Sequence, residues 1–171
     1  MKVHGKHIIA GFAGIGKTVL GNKNPEDVID MEIRPYKYAN YKKEYTLKEW
    51  YEIEPILNEN FIHTYFKAVK DEIENGSHKI IFVWLKTEVL ELLEKDNIKY
   101  TIATWNTKQE GLEEFLTDLY TKRGNPSYWI EKVLKALKTY DDYINKHNSD
   151  AIILDKYETI ETKLKELKWI N

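Results

Sequence analysis

The octapeptide Gly11-Phe12-Ala13-Gly14-Ile15-Gly16-Lys17-Thr18 constrains this chain more than anything else in it, because it satisfies every position of the spacing G-x-x-x-x-G-K-[ST]. Glycines at those places let successive backbone N–H groups converge on an anion with no side chain in the way. A helix opening near Lys17 points the positive end of its dipole at the same anion. Lys17 then reaches the outer phosphates of a polyphosphate, and the Thr18 hydroxyl is placed to ligand magnesium. The flanks agree. His7-Ile8-Ile9-Ala10-Gly11-Phe12 is an apolar run that reads as a buried strand, and Thr18 to Lys23 reads as a short helix closed by Asn24-Pro25. A glycine-rich turn without a ligand is the bland alternative, and the strand before and helix after argue against it.

Strand and helix signals alternate along the rest of the chain. Val28 to Ile33 reads as a second strand, and Arg34 to Tyr45, with no clear period, as a loop or insert. Thr46-Leu47-Lys48-Glu49 fits a capping box opening a short helix that Pro55 ends. Phe61 to Asn75 is amphipathic, with Ile62, Tyr65, Phe66, Val69 and Ile73 on one face. Lys79 to Leu85 is a near-continuous apolar run, as expected of a strand covered on both faces. A helix over Glu88 to Lys95 and a strand over Tyr100 to Trp105 follow. A second capping box at Thr107 to Glu110 predicts a helix to about Lys122, and Gly124 ends it. Asn125 then caps a helix with Pro126 in its first turn that runs toward His147. Ala151 to Asp155 is the fifth strand, and Ile160 to Trp169 a terminal amphipathic helix. This alternation predicts an α/β class with a mainly parallel sheet, whose ligands bind at the carboxyl ends of the strands.

Composition removes several functions. The 171 residues are one domain by size and include no cysteine, which excludes disulfides, thiolate metal sites and cysteine nucleophiles. His4 and His7 are the one close histidine pair, and they read as packed or solvated. A net charge of -2 supplies no global field for nucleic acid. No segment approaches the roughly 20 apolar residues of a membrane span, so a cytoplasmic protein without a membrane partner is expected. Of 26 basic residues only Arg34 and Arg123 are arginines.

The loop at Gly11–Thr18, the small size, the five αβ units and a late helical hairpin resemble P-loop kinases of the nucleoside and nucleoside-monophosphate group. The chain is similar in particular to small phage-encoded kinase-like proteins. Val28-Ile29-Asp30-Met31-Glu32 and Lys122-Arg123-Gly124-Asn125 extend that likeness. The resemblance implies a three-layer α/β/α sandwich with five strands in the order 2-3-1-4-5. It implies ATP or another NTP with magnesium as donor complex, and a lid that brings arginine to the transferring phosphoryl group. Carried over residue by residue, Asp30 and Glu32 become acceptor binders, general base or magnesium partners. Alternation along a strand would set both on one side. Arg123 becomes the lid arginine, offering a planar fork that lysine lacks.

Asp155, Lys156 and Tyr157 follow the fifth strand, where the group places its base-contacting loop. Arg34, Tyr36 and Trp50, within a segment rich in tyrosine and lysine, are candidates for holding the acceptor by charge and stacking. A packed insert is the alternative there, and Trp84 and Trp105 read as core. The third strand ends Val83-Trp84-Leu85-Lys86-Thr87, without the acid usual in the group.

The expectation is therefore one domain over residues 1–171, with an acceptor-binding insert at 34–58 and a helical lid at 107–147. It would act as an ATP-dependent phosphotransferase on a nucleoside, a nucleotide or a nucleic-acid end. An NTP-binding accessory protein and a simple NTP hydrolase are the alternatives.

Overall fold

Apolar runs with β-branched residues pair into one sheet, and the amphipathic segments cover it. The computed structural model describes residues 2–3 and 5–171; His4 lies outside the described residues. The strands are β1 Lys2–Val3, β2 Lys6–Gly11, β3 Val28–Asp30, β4 Ile80–Trp84, β5 Thr101–Trp105 and β6 Ala151–Leu154. The helices are α1 Lys17–Lys23, α2 Arg34–Lys37, α3 Leu47–Glu52, α4 Phe61–Asn75, α5 Thr87–Lys95, α6 Leu112–Lys122, α7 Ser127–His147 and α8 Ile160–Glu166.

Five strands run parallel in the order β3-β4-β2-β5-β6, the expected 2-3-1-4-5 arrangement. The short β1, which the sequence pattern did not predict, pairs antiparallel with the start of β2. Helices interleave with the strands in a three-layer α/β/α arrangement; α1 packs on α8, and α4 packs on α2 and α5. The central strand β2 is buried along its whole length, which is why its sequence carries no polar alternation. Gly11 pairs with Trp84 of β4 and Ala103 of β5, so the phosphate loop leaves the sheet at its middle, at the carboxyl ends.

Four local expectations fail. The second strand stops at Asp30, where the Glu32 N–H turns back to the Asp30 carbonyl, so Glu32 stands off the strand and does not alternate with Asp30. The segment after it is not all loop, since Arg34–Lys37 forms a helical turn with Pro35 in its opening positions. The capping box at 107–110 does not form. Instead, α6 starts from a left-handed Gly111, and the Thr107 hydroxyl donates to Asp141 of α7. Asn125 caps nothing either, because Pro126 is the N-cap of α7 and no side chain bonds there. The Thr46–Glu49 box, by contrast, is present in both directions.

The hairpin expected as a lid is anchored along its length. Leu112, Leu116 and Tyr120 of α6 and Ile130, Leu137, Tyr140 and Tyr143 of α7 lie in the core. Within 107–147 the residues outside helix are 107–111, before α6, and 123–126, at the tip between the two helices. Most of 107–147 is thus a wall of the domain.

One buried side chain fixes the ends of two strands relative to the loop. Tyr65 of α4 is fully buried; its hydroxyl donates to the Met31 carbonyl at 2.7 Å and accepts the Trp84 N–H at 2.7 Å. Burial raises its pKa far above the usual tyrosine value, so the hydroxyl stays protonated and keeps both bonds. It thereby sets where the chain turns after Asp30. Replacing Tyr65 by Phe strands one carbonyl and one amide, and is expected to cost about 2 kcal/mol. The readout is a lower urea midpoint at unchanged slope. A loss under about 0.5 kcal/mol, within the range of neutral surface changes, would mean that the hydroxyl is no strut.

Candidate phosphate-binding site

The loop keeps its shape because its side chains and carbonyls are tied outward. Phe12 and Ile15 are buried, and the Phe12 ring meets Tyr140 edge-on at 6.1 Å between centroids. The Phe12 N–H donates to the Ala103 carbonyl at 2.8 Å, and the Ile160 N–H donates to the Ile15 carbonyl at 2.8 Å. The Ala13 carbonyl accepts two donors, the Tyr120 hydroxyl at 2.8 Å and the Trp105 indole N–H at 3.2 Å. Among the described residues, Ala13, Gly14, Ile15 and Gly16 donate to no backbone carbonyl, and Lys17 and Thr18 open α1, where helix geometry leaves N–H groups unused. Such a set of amides has the form of a candidate anion cradle.

Two glycines are required sterically. A Cβ on Gly11 would lie 2.7 Å from the Lys17 Cδ, so only glycine lets that side chain fold across the loop. Gly14 has φ +83°, and a Cβ there would lie 2.9 Å from the Tyr120 ring.

Lys17 is the electrostatic centre. Its ammonium donates to the Gly11 and Phe12 carbonyls at 3.0 and 2.7 Å, spanning the start of the loop. Burial pushes its pKa down, Asp30 opposes that, Arg123 adds to it and Glu32 opposes it. Two acids, at and just after the end of β3, and an arginine at the far end of α6 thus act on one ammonium. The Thr18 hydroxyl donates to an Asp30 carboxylate oxygen at 2.7 Å. These are two hard oxygen groups of the kind that would suit magnesium. No group of three or more His, Asp or Glu able to hold a metal alone occurs among the described residues.

Arg123 is exposed at the end of α6, its guanidinium 5.9 Å from the Tyr120 ring centroid. Tyr120 in turn bonds the loop, so the arginine stands on a residue that touches the cradle. Beyond it, a cavity of about 620 Å³ is lined by Phe115, Leu119, Lys122, Lys156 and Tyr157 among others. That volume suits a small ligand. Leu119 also borders Gly14, which places the cavity next to the loop. Tyr157 is 84% exposed with its ring edge on Phe115 at 4.8 Å, and its backbone is left-handed at φ +69°. Asp155 is otherwise engaged, since its carboxylate accepts from the Asn106 amide at 2.8 Å.

On the other side, Glu32, Arg34, Tyr41 and Tyr51 form one neighbourhood. The Tyr41 pKa is raised by burial and by Glu32, and the Arg34 guanidinium opposes both by charge and hydrogen bond. Burial raises Tyr51 too, against a hydrogen bond from Asn125 and the charge of Arg34. Two expected stacking residues are not free. Trp50 is buried beneath Tyr38 and Tyr41, and Tyr36 lies edge-on to Tyr65 at 5.4 Å. They pack the insert, and Arg34 with Tyr41 and Tyr51 faces the charged site in their place. Trp84 is half-buried, whereas Trp105 is core and site at once.

Sequence reasoning missed Tyr120, Trp105, Phe115 and Leu119 as site residues. The one available signal was the i, i+3 spacing of Tyr120 and Arg123 on a helix.

A titration with magnesium and ATP is expected to show binding that Lys17→Ala weakens by about 10–100-fold, the worth of charge-assisted bonds to phosphate. Because the Lys17 pKa is depressed, its charge is lost at lower pH than for a free lysine. Affinity should therefore begin to decline with rising pH before the usual lysine range is reached. An affinity flat up to that range would show that this ammonium does not hold the phosphates. No protein-family model matches the chain, and no curated protein matches it either.

Proposed function

We propose that this chain is a phosphotransferase that moves the γ-phosphoryl group of ATP or another NTP to an acceptor hydroxyl on a nucleoside, a nucleotide or a nucleic-acid end. The observation that carries it is the convergence of Asp30, Glu32 and Arg123 on Lys17, beside the Thr18–Asp30 hydrogen bond. Phosphoryl transfer leaves little covalent work to a protein, so positioning and fixed charge are most of the catalysis.

Each residue then has a task. The loop amides and Lys17 hold the β- and γ-phosphates. The cavity beside Tyr157 and Phe115 takes the donor base. Thr18 and Asp30 would hold magnesium, which would supply positive charge to offset that of the phosphates. Glu32, off the strand and next to Arg34 and Tyr41, is the acceptor-side carboxylate and takes the hydroxyl proton. The acceptor oxygen bonds to the γ-phosphorus as its bond to the β–γ bridging oxygen breaks, leaving ADP. Arg123 meets the charge that spreads over the moving phosphoryl oxygens.

A binding protein without transfer is the second reading, favoured by β4, which ends at Trp84 and is followed by Leu85, Lys86 and Thr87 with no acid among them. A panel of nucleosides, nucleotides and oligonucleotides with labelled ATP separates the two. Acceptor-dependent ADP release supports transfer. ATP binding with none across the panel supports the binding protein.

Division of labour between the two acids gives a sharper test. Glu32→Gln is expected to cut transfer by about 10²–10⁴-fold with ATP binding intact, the range for a lost general base. Asp30→Asn should instead raise the magnesium needed for half-maximal rate. The reverse pattern would exchange the two assignments. Arg123→Lys keeps a charge and loses the fork, and is expected to cost up to about 10³-fold in turnover at unchanged ATP affinity. Wild-type turnover in that variant would make Arg123 a surface residue.

A further inference from the structure

Asn125 does none of the work its position suggests. It follows Gly124 (φ +91°) at the hairpin tip and precedes α7, but the N-cap of α7 is Pro126. The residue is nonetheless 6% exposed. Its backbone N–H donates to the Tyr120 carbonyl at 3.0 Å. Its side-chain amide bonds the Tyr51 hydroxyl of α3 at 3.3 Å, and its Oδ1 has no partner among the described residues. Exchanging the amide's two ends does not help, because the hydroxyl engages one end and the other stays orphaned. An orphaned buried amide atom costs stability, so something other than packing keeps it there.

The contact joins two sides of the site by a hydrogen bond. Tyr51 belongs to the insert and lies in the field of Arg34. Its ring meets Tyr128, in the first turn of α7, edge-on at 6.3 Å. Asn125 lies two residues from Arg123, which stands on Tyr120 and acts on Lys17. We propose that Asn125 is a positioning residue: through the Tyr51 hydroxyl it clasps the hairpin tip to the insert, and so couples the wall around Arg34 and Tyr41 to the placement of Arg123 over the phosphate loop. The inference rests on the transfer reading of the same site. A single long hydrogen bond with one end of the amide unsatisfied is weak enough to open and close during a catalytic cycle. The helices behind it, buried in the core, stay where they are.

Two measurements test it. The chain has no cysteine, so Lys48→Cys and Ser127→Cys, both on exposed residues, give a clean pair of spin-label sites across the clasp. With magnesium and ATP the label distance is expected to be narrow, and Tyr51→Phe, which removes only the hydroxyl, is expected to broaden it. Asn125→Ala should do the same. In transfer, Tyr51→Phe should lower kcat roughly fivefold, equivalent to about 1 kcal/mol, at unchanged KM for ATP. Combined with Arg123→Lys it should add nothing, because the arginine it positions is already blunted. Unchanged distances in both variants, or fully additive losses, overturn the clasp. If no acceptor is found, the transfer reading fails separately, and the label distances still decide whether the tip and insert are joined.

Discussion

The Ala13 carbonyl accepts hydrogen bonds from the Tyr120 hydroxyl and the Trp105 indole, and much of the site depends on that doubly occupied oxygen. A peptide group is a rigid dipole, so fixing the carbonyl outward turns the next N–H inward. The Ile15 carbonyl is fixed the same way by the Ile160 N–H. Three elements remote in sequence, β5, α6 and α8, therefore hold eight residues in a conformation their own glycines merely permit. The arrangement also explains why Gly14 must be bare: Tyr120 can reach the carbonyl only by lying against that residue.

The same packing sets the electrostatics. Tyr120 draws α6 onto the loop, and the end of α6 is Arg123. The arginine thus arrives near Lys17, where two like charges raise each other's cost. Asp30 and Glu32 offset it, with Asp30 the stronger partner of Lys17. In the proposed reading a polyphosphate entering such a cluster would replace carbonyl contacts of Lys17 by charged ones and relieve the repulsion from Arg123. Charge gathered this way would be costly without an anion, the condition under which it would serve a transition state.

Sequence alone resolved the parts governed by local rules. The strand–loop–helix context of Gly11–Thr18, the periodicity of Phe61–Asn75 and the apolar run at Ile80–Trp84 each needed only neighbours within a few residues. Strand order followed from the family resemblance. What was not legible depended on contacts between distant segments. The early end of β3 is set by Tyr65, some thirty residues on, whose hydroxyl takes the Met31 carbonyl (2.7 Å) and with it the turn that carries Glu32 away from Asp30. Thr107 fits a cap by spacing, yet Asp141 of α7 claims its hydroxyl. Trp50 and Tyr36 looked like stacking platforms because composition cannot tell a ring facing solvent from a ring covered by other rings. Asp155 stands at a strand end suited to a base contact, yet its carboxylate accepts the Asn106 amide.

The two sides of the site are held with unequal firmness, and the chemistry explains why they should be. On the donor side the cradle is fixed by buried aromatic donors and by helices within the core. A cradle that flexed would lose the advantage of amides aimed in advance at the phosphates. On the other side the insert is built from short helical turns, α2 and α3, with an isolated bridge between Tyr38 and Leu57 and one hydrogen bond that Tyr51 accepts from Asn125 of the hairpin tip. In the proposed transfer an acceptor would enter past that wall and leave carrying a new phosphate, and short elements joined by single bonds open at little cost. Water would also have to be kept from the γ-phosphoryl group while the acceptor is in place, and exposed aromatic rings such as Tyr128 could cover the gap where the tip and insert meet. A rigid cradle facing a yielding wall is what a transfer between two bound groups calls for, because the first must be ready before the second arrives.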